Sequence, residues 1–225
     1  MLQHGKFRLG DFGIDHGPYP ATAELAAGAT RFPECLMSNL IRKVTRRIDR
    51  SIGMAIECVY LYRLQDRDAI PSLSPPPGLE ILQLQPDQMS LLTEVLPSLE
   101  IPKLSQTQVQ HSQCYAASLG GRVLHYSWVQ TSGPHSILEA GRRVDVAPGE
   151  FWIYDCQTHP SARGLGIYPY MLTFIARDHL QRNLREGIIY TTVENIASQR
   201  GIQKAGFTLK ETLRSLRIGR WYMAF

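Results

Sequence analysis

The chain has 225 residues, of which 44% are hydrophobic, so it can bury a full core within one domain and a short appendage. Its formal net charge is +4, and the segment 42–50 alone carries an excess of four positive charges, so the rest of the chain is balanced. This distribution argues against a uniformly basic nucleic-acid-binding protein, and no nucleic-acid partner is expected.

Several patterns bear on compartment and cofactors. No apolar run reaches the roughly 18 residues of a membrane-spanning helix. Residues 1–36 lack a charged segment followed by an apolar one, which argues against a secretory signal. The four cysteines show no Cys-x-x-Cys spacing, so neither a zinc cluster nor a disulfide framework is expected. We therefore expect a cytoplasmic protein without a metal.

The first 77 residues divide into three predicted parts. Residues 1–36 show no sustained period and are predicted to be a disordered extension. Residues 37–70 are predicted to hold a basic amphipathic helix, because apolar residues recur at helical spacing from Leu40 to Val59. Residues 71–77, which include three consecutive prolines, are predicted to be a stiff linker before the main domain.

The predicted basic helix, residues 38–60, has two interpretations. An apolar stripe flanked by Arg and Lys can lie in a lipid headgroup layer, which would give a peripheral contact at the inner face of the membrane or with an acidic partner. The alternative is a helix that packs on its own domain and keeps a solvated charged face. The sequence leaves both interpretations open.

The segment 78–225 alternates predicted strands and helices, which is typical of a mixed α/β domain. In chain order we predict a strand over 78–84, a helix over 87–99, an antiparallel hairpin over 114–119 and 123–129, a loop over 131–149 with a short strand near 136–140, a strand over 151–156, a helix over 167–184, a strand over 187–193, a helix over 195–205 closed by Gly206, and a terminal hairpin over 207–213 and 218–225. The strands before and after the 167–184 helix are expected to be parallel neighbours, because a helix connects them.

A glycine loop lies between the predicted strand 151–156 and the predicted helix 167–184. Gly164 and Gly166 remove the Cβ atoms that would keep an anion away from the backbone, so N–H groups can converge on it at the positive end of the helix. Pro169 suits the first helical turn. The loop matches neither the three-glycine dinucleotide pattern nor the Gly-Lys-Ser/Thr triphosphate pattern.

Two motifs resemble those of the GNAT N-acetyltransferase superfamily. Arg163-Gly164-Leu165-Gly166-Ile167-Tyr168 resembles its pyrophosphate loop, Arg/Gln-x-x-Gly-x-Gly/Ala, although Tyr168 replaces a small residue. Asn195-Ile196-Ala197-Ser198 and then Lys204-Ala205-Gly206-Phe207 resemble the sequence Asn-x-x-Ala/Ser followed by Lys-x-Gly-Phe. The resemblance covers about residues 78–225 and implies the acetyltransferase fold, in which two central parallel strands splay apart.

The resemblance implies an acyl-CoA-dependent N-acyltransferase with acetyl-CoA as the donor co-substrate. It implies that the cofactor contacts Asn195 and six loop residues, namely Arg163, Gly164, Leu165, Gly166, Ile167 and Tyr168. Asn195 is also a candidate helix N-cap. The implied acceptor is a small-molecule amine, with an amino sugar or a nucleotide sugar favoured over an amino acid or a protein lysine, and the amine attacks the thioester directly in a ternary complex. Nothing in the sequence determines the acyl-chain length.

The catalytic residues are less clearly marked. An ammonium acceptor must lose a proton, and Glu150 is the first candidate base, because histone-modifying members of the superfamily resemble this chain in carrying a glutamate 13 residues before the loop arginine. The alternative for Glu150 is an exposed carboxylate at the start of a strand. Asp155 and His159 are the next candidates. In the superfamily a tyrosine usually protonates the thiolate, but here Ile202 occupies that position, so either solvent, another tyrosine such as Tyr190, or no specific acid is expected to serve.

The missing tyrosine and the basic helix also support a second hypothesis. In it the chain is a membrane- or partner-binding module, and the acyltransferase core is weak or inactive. A membrane contact through residues 38–60 would be its main activity.

Overall fold

The structure is a computed structural model that describes residues 54–95, 112–219 and 221–224. The predicted extension 1–36 and residues 37–53 of the predicted basic helix lie outside the described residues. The end of the predicted helix 87–99, beyond residue 95, lies outside them as well. These predictions therefore stay untested.

One large mixed sheet dominates the described chain, and two α-helices accompany it. The elements are β1 (Met54–Leu64), β2 (Leu79–Leu84), β3 (Ser112–Leu119), β4 (Arg122–Gln130), β5 (Gly133–Ile137), β6 (Arg142–Val146), β7 (Glu150–Thr158), α1 (Ile167–Gln181), β8 (Glu186–Thr192), α2 (Ile196–Lys204), β9 (Thr208–Ile218) and β10 (Trp221–Ala224). The strand order is β10-β9-β1-β8-β7-β4-β3-β2, while β5 and β6 form a separate two-stranded ribbon. The predicted mixed α/β fold class is confirmed.

Most predicted elements of the main domain are present, with differences at three places. The described part of the predicted helix 87–99 is a 3-10 helix, Pro86–Glu94. The loop 131–149 contains the β5–β6 ribbon instead of a single short strand. In the terminal hairpin, β9 continues to Ile218, a residue that the sequence predicts to begin the second strand. As predicted, β3 and β4 pair antiparallel, and β7 and β8 pair parallel.

The prediction of a helix that continues to residue 60 is wrong for residues 54–60, which belong to strand β1. This strand lies inside the sheet and pairs antiparallel with both β8 and β9. Leu61 is 3% exposed and Tyr62 is 2% exposed, although neighbouring side chains of a strand point to opposite faces. A strand buried on both faces is almost continuously apolar, so its sequence resembles that of a buried helix.

The proline-rich segment 71–77 does not separate two domains, because β1 before it and β2 after it belong to the same sheet. The chain just before the prolines is also fixed to the helices. Ile70 is buried in the main core, and the carbonyl of Pro71 accepts a hydrogen bond from Arg177 of α1 at 2.8 Å. The predicted linker is therefore a connection within one domain.

The two faces of the sheet carry different layers. Alternate residues of β7 and β8 point to opposite faces, so Phe151 and Ile153 join the core under α1, whereas Trp152 joins a cluster with the β5–β6 ribbon. The 3-10 helix Pro86–Glu94 covers the same face as the ribbon, above Trp128. We refer to the two sides as the helix face and the ribbon face.

Candidate active site

The glycine loop adopts the backbone conformation that its sequence predicts. Gly164 has φ +81° and Gly166 has φ +80°, a region that side-chain-bearing residues rarely adopt. Apart from the adjacent residues, no heavy atom of the described chain lies within 4 Å of the Cβ position at either glycine. Gly166 is the N-cap residue of α1. The loop therefore opens directly onto the positive end of that helix.

The amides of this loop are available to a ligand. Arg163 is an exception, because its N–H donates to the carbonyl of Pro160 at 3.3 Å. Within the part of the chain that the structure describes, the N–H groups of Gly164, Leu165 and Gly166 donate to no other residue. The N–H of Ile167, in the first turn of α1, is without a partner in the same sense, as expected at a helix start. Four consecutive backbone N–H groups, from Gly164 to Ile167, are thus available to bind a ligand.

Tyr168, the residue that departs from the superfamily motif, points away from the loop and towards α2. Its hydroxyl lies 3.1 Å from the Ser198 hydroxyl, and its ring lies against Gly201. A Cβ at Gly201 would come within 2.5 Å of the Tyr168 ring, so the absence of a side chain there makes room for the aromatic group. The large residue is accommodated between the helices and does not fill the space in front of the loop amides.

Asn195 lies at the start of α2 and caps it. Its Oδ1 accepts a hydrogen bond from the N–H of Ser198 at 3.1 Å, which confirms the predicted N-cap. The residue also lines the cavity described below. Its side-chain NH₂ group has no role in the cap, so capping and ligand binding are compatible.

The parallel strands β7 and β8 pair only at their beginnings. The register runs from Glu150 opposite Glu186 to Ile153 opposite Ile189, and the paired segment ends there although both strands continue. Beyond that point β7 pairs with β4, and β8 pairs with β1. Asp155 has φ +44° at the place where the β4–β7 register shifts. The bulge turns β7 away from β8 and opens a gap between them.

A cavity of about 780 Å³ includes this gap and the glycine loop. Its basic lining residues are Arg163 beside the loop and Arg200 and Lys204 on α2, all on the helix face. Its acidic lining residues are Glu139 of the β5–β6 ribbon and Asp155. The cavity therefore passes through the sheet from a basic end to an acidic end.

No protein-family model and no curated protein matches this chain by sequence. Solved structures match its fold. A GCN5-related N-acetyltransferase from Sphaerobacter thermophilus aligns with a TM-score of 0.53 at 16% identity, over 81% of this chain and 56% of that one. Another from Kribbella flavida aligns with a TM-score of 0.52 at 11% identity, over 78% and 63%.

The chain has the GNAT acetyltransferase fold. It spans less than two thirds of these two structures, and 58% of a Drosophila protein that aligns with a TM-score of 0.53 at 12% identity. Within the GNAT fold, the splayed strand pair and the glycine loop lie where the sequence predicts them. The likeness shows the fold, and the activity is a separate inference.

Of the three predicted catalytic residues, two line the cavity and Glu150 does not. Asp155 and Tyr190 both line the cavity on either side of the gap. Glu150 is absent from the described cavity lining, and its carboxylate accepts hydrogen bonds from the Trp152 indole at 3.0 Å and the Ala147 amide at 3.2 Å. His159 caps the 3-10 turn before the loop by accepting from the Ser161 amide, and it too is absent from that lining.

Tyr190 is a proton donor and not a base under ordinary conditions. Burial raises the pKa of its hydroxyl, and the charges of Glu139 and Asp155 raise it further. The hydroxyl makes no hydrogen bond to another described residue. Ile202, at the position where the superfamily usually has tyrosine, is fully buried in the core and offers no proton.

Three charged residues of the lining were not predicted as site residues. Arg200 and Lys204 lie four positions apart on α2, so both occupy one side of that helix, and this spacing downstream of Asn195 is a signal that the sequence does contain. Glu139 has no such signal. Its place depends on how the β5–β6 ribbon packs on the sheet, which local sequence does not determine.

The described residues hold no group of three His, Cys, Asp or Glu side chains that could share a metal ion. The expectation of a metal-free protein stays a prediction. In the same part of the chain, no helix has both the length and the apolar character needed to span a bilayer.

Proposed function

We propose that this chain is an acyl-CoA-dependent N-acyltransferase that uses acetyl-CoA and transfers the acetyl group to the amine of a small molecule. The observation that carries the proposal is the gap between β7 and β8, which opens beside loop amides, from Gly164 to Ile167, that have no partner among the described residues. A thioester can enter such a gap while its diphosphate is held by the amides and the end of α1.

The helix face binds the donor. Main-chain N–H groups from Gly164 to Ile167 hold the diphosphate, and the guanidinium of Arg163 adds a charge-assisted hydrogen bond. The Asn195 amide bonds the pantetheine arm, which extends from the loop into the gap. Arg200 and Lys204 give this end of the cavity a positive charge that suits the phosphates of acetyl-CoA.

The chemistry takes place in the gap by direct attack. Asp155 accepts a proton from the acceptor ammonium, through a water where needed, and the neutral amine attacks the thioester carbonyl carbon. The C–S bond then breaks, the Tyr190 hydroxyl donates a proton to the departing thiolate, and the resulting phenolate takes up the proton that the new amide nitrogen loses. We assign no step to Glu150, because its carboxylate holds Trp152 and the Ala147 amide.

The acceptor enters from the ribbon face. Residues 131–149, which contain the β5–β6 ribbon, supply part of the cavity wall through Glu139. The terminal hairpin adjoins this ribbon, since the Tyr222 ring lies against Gly141. An amino sugar stays the favoured acceptor. The alternative function as a membrane-binding module loses support, because part of its predicted helix is strand β1.

Calorimetric titration with acetyl-CoA tests the first step of this proposal. The wild type should bind, and Gly166→Asp should abolish binding, because a carboxylate would stand against the diphosphate and strain a backbone with φ +80°. Gly219→Asp is the matched control, since Gly219 has φ +56° and open space around it but lies in the β9–β10 turn. If the wild type fails to bind at about 1 mM, the proposal is discarded.

A further inference from the structure

The acidic end of the cavity identifies the class of acceptor. Glu139 and Asp155 line it together with the aromatic rings of Tyr154 and Tyr190. The charges of both carboxylates also raise the pKa of the Tyr190 hydroxyl, which lines the same cavity. The basic residues of the lining lie on the helix face. An acceptor with two ammonium groups would therefore meet two carboxylates and two aromatic residues at this end of the cavity.

The turn that carries Glu139 is fixed to the sheet. Glu139 lies in a 3-10 turn, Leu138–Ala140, between β5 and β6. Its flanking residues Ile137 and Ala140 are each 1% exposed and pack against β1 and β8. Gly141, with φ +57°, ends the turn and leaves no room for a Cβ beneath the Tyr222 ring. The exposed carboxylate thus projects from an anchored backbone, which is a requirement for selecting a ligand by charge.

His135 holds the aromatic wall in place. Its ring lies 4.9 Å from the Tyr154 ring, 5.8 Å from the Tyr190 ring and 5.0 Å from the Trp152 ring. The Gln130 Nε2 donates to the carbonyls of Ser132 and Pro134, so its Oε1 accepts from His135 Nδ1–H. His135 Nε2 then carries a lone pair that is buried and has no partner among the described residues. Burial lowers the pKa of His135 to about 4, so this wall adds no positive charge near neutral pH.

We propose that the acceptor is a small molecule with two or more amino groups and no acidic group, such as a polyamine or a multiply aminated sugar, and that Glu139 selects it by binding the amino group that does not react. The inference rests on the proposed function and narrows its acceptor. One ammonium lies beside Asp155 and loses its proton, while a second is paired with Glu139. An amino acid or a nucleotide sugar is disfavoured, because its carboxylate or phosphate would face Glu139.

Three amines with the same four-carbon chain test whether the charge at the far end of the acceptor controls its affinity. In 1,4-diaminobutane, 1-aminobutane and 4-aminobutanoate, the far end of a four-carbon amine is positive, neutral and negative. Each is titrated by calorimetry into the protein saturated with CoA. The diamine should bind roughly three- to tenfold more tightly than the monoamine, the range expected for a partly screened ion pair, and the aminobutanoate should bind most weakly. Raising the salt concentration should reduce the advantage of the diamine.

Variants assign the effect to one residue. Glu139→Gln should remove the advantage of the diamine over the monoamine and leave acetyl-CoA affinity unchanged. Glu80→Gln is the matched control, because it removes the same charge from exposed β2 at the far edge of the sheet, and it should retain the wild-type preference. Equal affinity for the three amines, or no binding of the diamine at about 10 mM, overturns the inference. If acetyl-CoA binds in that case, the proposed function survives, whereas failure of acetyl-CoA to bind removes both.

Discussion

At the scale of single residues, Asp155 joins a backbone role to a proposed chemical one. Its φ of +44° belongs to the left-handed region, which asparagine and aspartate tolerate better than other side-chain-bearing residues. Its carboxylate accepts a hydrogen bond from the Tyr126 hydroxyl at 3.3 Å on the ribbon face. The bulge that opens the gap therefore also places a carboxylate at the edge of that gap.

Asp155→Asn separates these two roles, because asparagine keeps the backbone preference and loses the charge. We expect kcat/KM to fall by about 10²-fold or more, the usual contribution of a general base. Acetyl-CoA affinity should stay within about twofold of the wild type, since the donor binds at the helix face. The measurement is thiol release with an amine that the wild type acetylates. An unchanged kcat/KM would remove Asp155 from the mechanism.

His125 is a buried residue whose neighbours determine which of its ring nitrogens carries the proton. Its Nδ1 lies 2.8 Å from Thr158 Oγ1 and its Nε2 lies 2.9 Å from Ser127 Oγ. The Ser127 hydroxyl donates to Cys156 Sγ at 3.1 Å, so it accepts from His125 Nε2–H, and Nδ1 accepts from Thr158. The ring is fully buried and neutral, and burial lowers the pKa of His125 to about 3.

The pKa of His125 makes stability depend on pH. Between the ordinary histidine pKa of about 6.5 and the folded value of about 3, the unfolded chain binds more protons than the folded one. Stability is therefore fully present above pH 6.5 and is lost as the pH falls, by up to about 1.4 kcal/mol per pH unit. Urea unfolding of wild type and His125→Gln at several pH values measures this. If the free energy of unfolding changed with pH by the same slope in both proteins, this prediction would be contradicted.

At the scale of elements, the contact between α1 and α2 includes one closely packed pair of residues. Tyr168 of α1 fills the space above Gly201 of α2, where a Cβ would lie 2.5 Å from the ring. Gly201→Ala should destabilise the fold by about 1–3 kcal/mol, the usual range for overpacking. In a Tyr168→Ala background the same change should be neutral or stabilising by about 0.5–1 kcal/mol, because alanine favours helix over glycine. Additive effects in this double-mutant cycle, measured by urea unfolding, would show that the two residues do not interact.

The elements also show what local sequence can and cannot predict. Short-range signals in the sequence predict three features correctly. A Gly-Gly turn predicts the β3–β4 hairpin, helical periodicity predicts α1, and the two glycines of the loop predict its positive φ angles. Strand β1 was missed, because a strand buried on both faces lacks the alternation that identifies an exposed one. Glu139 was missed for a different reason. Its position in the cavity comes from the packing of the ribbon on β1 and β8, which is a contact distant in sequence.

At the scale of the whole molecule, the main question is where the folding unit begins. The sequence places the domain start at residue 78, after the prolines, whereas β1 lies between β8 and β9 in the sheet. Four side chains of β1 are buried, namely Val59, Leu61, Tyr62 and Leu64. Burial of each contributes roughly 1.5–3 kcal/mol, so their sum is comparable to the roughly 5–15 kcal/mol stability of a whole domain.

Two truncations decide between these starting points. A chain that begins at residue 54 keeps every element that the structure describes and should unfold cooperatively in urea. A chain that begins at residue 71 lacks β1, which leaves the facing edges of β8 and β9 unpaired and exposes the side chains that β1 covers. It should show no cooperative transition, and it should not bind acetyl-CoA, because β8 forms one side of the gap. Cooperative unfolding of this shorter chain would restore the proline segment as a domain boundary.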